Sequence, residues 1–282
     1  MEYKSRLLEL IDEYDRVCRE NNLRYFLTGG SLLGAIRHNG MIPWDDDIDV
    51  AMPREDYEML RQIANDKFSQ DFSYITNNID SEYFLCYAKL FHNKTTLVEL
   101  QDPFYLGGVY LDIFPIDGLP SNKFLRSIHY KRFYYWRNMS YIVARESSVS
   151  TNKNPIKAFC ATIRNSIYKK IFSLSYVLRK CDRIASKYSF DNSDMVVNFG
   201  GAWGQREITY RSYLVNRVEH SFEGRMLMIP KGYDEFLKTL YGDYMQLPSI
   251  ENRISHHRYF YLNLNRRVSK EDILNVQHQI TQ

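Results

Sequence analysis

The sequence lacks the patterns that mark membrane-spanning, secreted and zinc-binding proteins. No apolar run approaches the roughly 18–20 residues needed to cross a bilayer, and the first twenty residues are charged throughout, without the apolar centre of a signal peptide. The four cysteines, Cys18, Cys86, Cys160 and Cys181, show no CxxC spacing, which argues against a zinc site or a disulfide framework and predicts isolated buried thiols. We therefore expect a cytoplasmic protein, either in solution or peripheral at the inner face of the cell membrane.

The small net charge of +3 conceals a strongly basic segment in the middle of the chain. Residues 121–190 contain 15 Lys and Arg but only two acids, Glu146 and Asp182, so this segment carries +13 and the remainder −10. Within residues 157–183, apolar residues alternate with cations as they do in helices that lie on a membrane. An ordinary amphipathic helix with a solvated basic face is the other interpretation. Nucleic acid is not an expected partner, because no RNA- or DNA-binding motif accompanies the charge.

Apolar periodicity and turn residues predict alternating helices and strands. Helices are predicted at 3–20, 32–37, 53–65, 121–147, 156–188 and 233–241, and strands near 23–27, 47–52 and 109–114. A sharp turn is predicted at 28–31, with Ser31 capping the helix that follows. Residues 83–91 and 95–100 are predicted to form a hairpin. The polar stretch 147–155 is the best candidate for a linker.

Two closely spaced carboxylates point to metal chemistry. Asp47 and Asp49 flank the apolar Ile48 on a predicted strand, so both side chains should point to the same side. Two adjacent carboxylates repel each other unless a cation lies between them, and their oxygen ligands suit Mg²⁺ or Mn²⁺. A solvated acidic turn is the alternative for this run when it is considered alone.

The residues before and after the acidic run favour the metal-site interpretation. The turn at Gly29, Gly30 and Ser31 leads into a helix, and backbone N–H groups at a helix N-terminus form a good phosphate site. That helix ends at Arg37 and His38, cations that could meet a pyrophosphate. A phosphate-binding turn followed by a strand bearing Asp-x-Asp is the layout of nucleotidyltransferase-like enzymes. Asp112, in an apolar strand, is the candidate third carboxylate, with a structural ion pair as the alternative.

These motifs resemble the LicD family. The segment GGSLLGAIRHNGMIPWDDDIDVAMPREDYE, the later LDIFPIDGLP, the region from Phe222 to Tyr244 and the late Ser-His-His at 255–257 are all similar to that family. The resemblance covers roughly residues 5–120 and 220–260. It implies an α+β fold with a nucleotidyltransferase-like mixed β-sheet flanked by helices, into which a mainly helical basic region is inserted. We divide the chain into a catalytic core at 1–120, a basic helical region at 121–198 and a C-terminal part at 199–282 that completes the catalytic domain.

The resemblance also implies an activity. LicD-like enzymes transfer a phospho-alcohol, typically phosphocholine from CDP-choline, to a sugar hydroxyl of a cell-envelope glycan, which can be lipid-linked, and release CMP. Asp47, Asp49 and Asp112 would then bind Mg²⁺ or Mn²⁺ and carry the catalysis. The donor phosphates would contact a set of five residues, Gly29, Gly30, Ser31, Arg37 and Lys89. Trp44 and Tyr110 are candidates for stacking the base or enclosing a quaternary ammonium, and His38, His256 and His257 are further site candidates.

Two other functions stay open at the level of sequence. A nucleotidyltransferase would attack the α-phosphate of a nucleotide and release pyrophosphate instead of CMP. A non-catalytic binding protein with the same fold would have been free to lose Asp47, Asp49 and Asp112, and all three are present. The sequence thus favours an Mg²⁺-dependent phosphotransferase.

Overall fold

The computed structural model describes residues 2–100, 102–150, 152–255 and 257–273. Its helices are α1 (Glu2–Glu20), α2 (Gly29–His38), α3 (Arg54–Lys67), α4 (Lys123–Ala144), α5 (Pro155–Ile171), α6 (Leu174–Ala185), α7 (Arg211–Leu214) and α8 (Tyr233–Tyr241). Its strands are β1 (Phe26–Leu27), β2 (Asp49–Pro53), β3 (Phe72–Ile75), β4 (Ala88–His92), β5 (Thr96–Glu99), β6 (Tyr110–Leu119), β7 (Met195–Asn198), β8 (Ile208–Tyr210), β9 (Arg217–Phe222), β10 (Arg225–Pro230) and β11 (Tyr259–Asn263).

The centre of the fold is the long strand β6, which is buried at every position. It pairs in parallel with β2 and antiparallel with β4 and β7, so the main sheet of the described chain has the order β1-β2-β6-β4-β3 and continues from β6 through β7 to β8. Helix α1 lies against this sheet through one apolar stripe that includes Leu7, Ile11 and Tyr14. The α+β class and the three predicted strands in one mixed sheet are confirmed.

The predicted hairpin between residues 83–91 and 95–100 is wrong. Strand β4 pairs with β3 and β6, whereas β5 pairs with β11 from the end of the chain. All five residues of β4 are buried, and such a strand needs a neighbour on both sides, which the interior of the main sheet provides. Sequence proximity favoured the hairpin, but burial decided the pairing.

The start of α2 also differs from the prediction. The helix begins at Gly29 after Thr28, so Ser31 lies inside its first turn and does not cap it. Gly29 has φ +54°, a value that favours glycine. The chain therefore passes from β1 into α2 without a separate turn, which brings the first turn of the helix next to the acidic run.

The basic segment folds into three helices beside the sheet. The predicted helix at 156–188 is divided into α5 and α6, because Ser173 begins a new helix and its Oγ accepts a hydrogen bond from the Tyr176 N–H at 3.3 Å. Helices α4 and α6 share a second apolar core with β6 and β7 that includes Phe133, Cys181 and Val197. Strand β7, the end of the predicted region 121–198, thus belongs to the main sheet.

Two sequence expectations about thiols and membrane spans have clear outcomes. Cys18 and Cys181 are buried as predicted, but Cys86 is only partly buried and Cys160 is exposed on α5. No helix within the described ranges is long and apolar enough to cross a bilayer.

Candidate active site

The acidic run lies at the start of β2, beside the centre of the sheet. Asp49 is the first residue of β2, and residues 45–47 form the loop before it. Asp49 is the parallel partner of Asp112 on β6, whose main-chain N–H donates to the Ile48 carbonyl at 3.1 Å. Partners in register point to the same face of a sheet, so Asp49 and Asp112 lie side by side.

The Gly-Gly-Ser segment in the first turn of α2 contacts the acidic run. A Cβ at Gly30 would lie 2.6 Å from Asp45 Oδ2, and one at Gly29 would lie 3.0 Å from Asp49 Oδ2. Ser31 Oγ accepts a hydrogen bond from the Asp49 N–H at 2.8 Å. The missing side chains therefore let two carboxylates approach the N-terminus of α2, where the helix dipole favours negative charge.

The loop is fixed through Asp46 by residues from both ends of the chain. The Asp46 carboxylate accepts a hydrogen bond from Ser255 Oγ at 2.6 Å and another from the Tyr259 hydroxyl, and it lies 2.8 Å from His257 Nδ1. The Tyr3 hydroxyl donates to the Asp46 carbonyl at 2.9 Å. Asp46 thus serves to position the loop, and the segment before β11 completes the site.

Burial and mutual repulsion disfavour ionisation of the Asp47 and Asp49 carboxyl groups. Removal from water, and then the charge of Asp45, raise the pKa of Asp47 to about 8. The pKa of Asp49 is raised well above its ordinary value by burial and by the charge of Asp47. The hydrogen bond to Asp46 raises the pKa of His257 to about 9. The acids outnumber this one imidazolium, so an added cation would be favoured electrostatically.

Asp112 belongs to a buried network behind the loop. Lys89 Nζ on β4 lies 2.8 Å from Asp112 Oδ1 and 3.1 Å from the centroid of the Tyr110 ring. The Tyr110 hydroxyl in turn donates to the Glu99 carboxylate. Burial raises the pKa of Asp112, and the charge of Lys89 opposes that shift. Lys89 therefore acts first as the counter-charge of Asp112.

The closest group of candidate ligand atoms differs from the predicted one. Within the described ranges, ligand atoms of Asp46, Asp47 and His257 all lie within 4.8 Å of one another, and Asp49 and Asp112 are not part of this group. The His257 imidazole lies between the Asp46 and Asp47 carboxylates, whereas Asp112 forms an ion pair with the buried Lys89.

A cleft of about 680 Å³ opens in front of the acidic loop, a volume typical of small-molecule sites. Its walls come from α2, the acidic loop, the loop before the 3₁₀ turn Gly204–Glu207, the end of α8 and residues 246–252. The rings of Trp203 and Tyr241 meet edge to face in this wall, with centroids 5.0 Å apart, and Asp243 also lines the cleft. The cleft thus combines carboxylates with aromatic surface.

Two arginines lie against the ring of Trp44, the residue that precedes the acidic run. Arg37 Cζ is 6.0 Å and Arg253 Cζ is 5.4 Å from the Trp44 ring. Arg37 is held in place by donating to the Tyr244 carbonyl at 3.1 Å and to His38 Nε2 at 3.0 Å. Guanidinium groups beside a cleft suit phosphate oxygens, because their N–H groups match that geometry.

Comparison with known proteins agrees with this architecture. A family model described as "LicD/FKTN/FKRP, nucleotidyltransferase domain" matches residues 22–141. The lipopolysaccharide cholinephosphotransferase LicD of Haemophilus influenzae is 29% identical over 264 residues, which cover 89% of this chain and 92% of that protein. Residues 22–141 thus form a LicD-type nucleotidyltransferase domain, and the similarity to LicD extends over most of the chain.

Shorter stretches are similar to further proteins. Human ribitol 5-phosphate transferase FKRP is 51% identical over 41 residues, 14% of this chain and 8% of that protein. Mannosyltransferase regulator 4 of Saccharomyces cerevisiae is 35% identical over 65 residues, 23% of this chain and 5% of that protein. Since the relatives include transferases of two different phospho-alcohols, the family by itself does not name the transferred group.

The structure divides the predicted site residues into three groups. The residues that line the cleft are Gly30, Arg37, Trp44, Asp47, Asp49 and His257. Those that support the lining from behind are Gly29, Ser31, His38, Lys89 and Asp112. Tyr110 packs on Lys89 within the buried network and is not part of the cleft lining described here. His256 lies outside the described residues.

Several residues of the site were not predicted. Asp45 and Asp46 were visible in the DDDID run, but no local signal separates ligands from positioning residues there. Trp203, Tyr241 and Asp243 come from segments far along the chain, and only the fold brings them to the acids. The Gly-Gly-Ala-Trp-Gly loop at 200–204 was the available hint, because an exposed tryptophan in a glycine-rich loop is typical of a binding surface.

Proposed function

We propose that this protein transfers phosphocholine, or a related phospho-alcohol, from a CDP-activated donor to a sugar hydroxyl of a cell-envelope glycan and releases CMP. Teichoic acid, lipopolysaccharide and capsule are the acceptor classes. The observation that carries the proposal is the cleft itself, in which Asp47 and Asp49 share one lining with Arg37 and two tryptophan rings. The similarity to a cholinephosphotransferase over most of the chain supports the same activity.

We further propose that the site binds Mg²⁺ or Mn²⁺. The residues present fit such an ion, since Asp47 and Asp49 offer hard oxygen ligands in the cleft lining and Asp112 lies beside Asp49. The pKa values of Asp47 and Asp49 are raised by burial and then by the charges of neighbouring carboxylates, which a cation would offset. When bound, the ion would neutralise the donor pyrophosphate and stabilise charge on the leaving CMP oxygen.

The chain itself would bind the donor and remove one proton. Arg37, which lines the cleft beside the acidic loop, would hold the donor phosphates. Asp112 was the predicted proton acceptor, but its pairing with Lys89 places it behind the lining. We assign the acceptor proton to Asp45 instead, which lines the cleft and whose pKa burial raises above its ordinary value, as suits a general base.

The best choline site in the cleft is the wall formed by Trp203 and Tyr241. A quaternary ammonium binds aromatic faces and is favoured by a nearby carboxylate, which Asp243 provides. Trp44 is less suited, because two guanidinium groups already lie against its ring. A polyol such as ribitol would gain little from the aromatic pair.

A screen of CDP-choline, CDP-ethanolamine, CDP-glycerol and CDP-ribitol for CMP release with Mg²⁺ tests the reaction. We expect CDP-choline to be the best donor and EDTA to abolish release. Turnover of a CDP-polyol alone would contradict choline as the transferred group while leaving phosphotransfer intact. Release of pyrophosphate from nucleoside triphosphates, without CMP release from any CDP-alcohol, would instead indicate a nucleotidyltransferase.

The choline wall is tested separately by Trp203→Ala with Trp203→Phe as the matched control. Loss of one cation–π contact should raise the KM for CDP-choline about tenfold, and phenylalanine should restore most of the affinity. KM for CDP-ribitol should not change. An equal rise in KM for both donors would show that Trp203 shapes the cleft and does not recognise choline.

A further inference from the structure

Helix α5 is oriented in the opposite way to a normal amphipathic helix of a globular protein. The face it turns toward the protein carries mostly small or polar side chains, with Asn165 buried and Ala158, Ala161, Ser166 and Tyr168 partly buried. Its large apolar side chains are 46–74% exposed: Ile156, Phe159, Ile163, Ile167 and Ile171. A surface helix normally buries such residues in the core.

These five residues form one continuous stripe. They recur every three or four positions, so they lie on one side of the helix along its whole length of roughly 25 Å. No described element covers them. Single exposed apolar residues need no explanation, but a contiguous stripe marks a surface that binds something.

The charge around the stripe identifies the kind of partner. Helix α5 carries Lys157, Arg164, Lys169 and Lys170 and no acidic residue, and the segment 121–190 that contains it has a net charge of +13. A second copy of this chain would present the same positive surface and be repelled. An anionic bilayer offers both apolar depth and negative charge, the combination that interfacial helices with Lys and Arg beside an apolar face recognise.

We propose that α5 docks the protein on an anionic bilayer surface. The stripe enters the boundary between headgroups and acyl chains, and the flanking cations meet the headgroup phosphates. This docking does not depend on which group the enzyme transfers, and it would hold the cleft near an acceptor carried on a lipid.

Sedimentation with lipid vesicles tests the proposal on the full chain. The vesicles contain phosphatidylcholine with or without 30% phosphatidylglycerol, and the variant is Ile163→Asp/Ile167→Asp. Met59→Asp/Met226→Asp is the matched control, because both methionines are exposed, at 52% and 53%, outside the basic segment. We expect the partition coefficient of the wild type on anionic vesicles to be at least tenfold higher than on neutral ones. The α5 variant should lose at least tenfold, while the control keeps its binding and both keep the wild-type circular dichroism.

A fluorophore locates the contact. Cys160 is exposed on the same face of α5, so an environment-sensitive dye attached there should shift to shorter wavelength on anionic vesicles, with Cys160→Ser as the labelling background. The proposal is overturned if the wild type does not bind anionic vesicles at low salt, or if the α5 variant still binds. It is equally overturned if the wild type forms a dimer that the α5 variant abolishes and the dye responds to protein concentration but not to lipid.

Discussion

Single residues in the acidic loop are held close together against their own repulsion. Asp45, Asp47 and Asp49 lie in one cleft lining, and their pKa values are raised first by burial. The balancing groups are His257 and the N-terminus of α2. A site of this kind sacrifices folding stability for chemistry, so substitutions in it should affect activity and stability in opposite directions.

Asp47→Asn and Asp49→Asn should each lower the rate of CMP release at least about a hundredfold, or roughly 2.7 kcal/mol, because an amide is a poor ligand for a divalent cation. The melting temperature should stay the same or rise, since one repelling charge is removed. Initial rates and thermal unfolding check both parts. Asp191→Asn, at an exposed ion pair with Arg24, is the control. A retained rate above about a tenth would contradict the assignment as metal ligands.

Because the Glu207 carboxyl group is buried, we expect the stability of the protein to depend on pH. It is 4% exposed, and burial raises its pKa from the ordinary 4.5 to about 7. A carboxyl group whose folded-state pKa is raised contributes stability below the unfolded pKa, and this contribution is lost as pH rises through the folded pKa. Its ionisation should therefore cost on the order of 3 kcal/mol between pH 4.5 and 7.

The substitution Glu207→Gln should remove this dependence, because glutamine stays neutral and can still accept the Trp203 N–H bond, which is 3.2 Å long. The decrease in melting temperature from pH 5 to pH 8 should be clearly smaller in the variant than in the wild type. Parallel curves for the two proteins would show that Glu207 does not titrate in this range.

At the level of elements, one buried ion pair connects the sheet to the helices. Arg54 at the start of α3 donates to both Asp117 oxygens on β6, at 2.7 and 2.8 Å, and also to Asp182 on α6 at 3.1 Å. Asp117 is fully buried, and Arg54 is 6% exposed. Removing one partner of such a pair leaves the other charge buried and uncompensated.

Arg54→Met should therefore lower the free energy of unfolding by about 3–5 kcal/mol in urea titrations. Adding Asp117→Asn should recover much of the loss, because the second substitution removes the buried charge. Lys67→Met, at the exposed C-terminal end of the same helix, should cost less than about 1 kcal/mol. A double variant no more stable than Arg54→Met would indicate that packing, and not charge, explains the effect.

For the whole molecule, segments after residue 199 pack onto α1, the loop after α2 and β5. Arg225 on β10 pairs with Asp12 on α1, and Glu223 accepts a hydrogen bond from the Met41 N–H at 2.9 Å. The partner of β5 is β11. A fragment of residues 1–198 should therefore fail to fold, as judged by a missing cooperative urea transition, whereas the full chain should show one. A cooperative transition in the fragment would mean that residues 1–198 fold independently and do not need residues 199–282.

Several features of this protein were determined by the sequence alone, because they depend on neighbouring residues. The stripe of α1, the strand at Asp49, the Asp-x-Asp spacing and the basic segment are all local patterns, and the structure contains each of them. The LicD resemblance rested on four such local stretches, and the family model and the Haemophilus relative bear it out.

The tertiary structure decided what local patterns leave undetermined. Strand β5 pairs with β11 because β4 is buried within the main sheet. Lys89 forms an ion pair with Asp112, and Tyr110 packs on Lys89 behind the cleft lining. The aromatic wall of the cleft and the outward face of α5 also follow only from packing. The physical reason is the same in each case: a side chain's role depends on which distant residues share its face, and the chain sets that only when it folds.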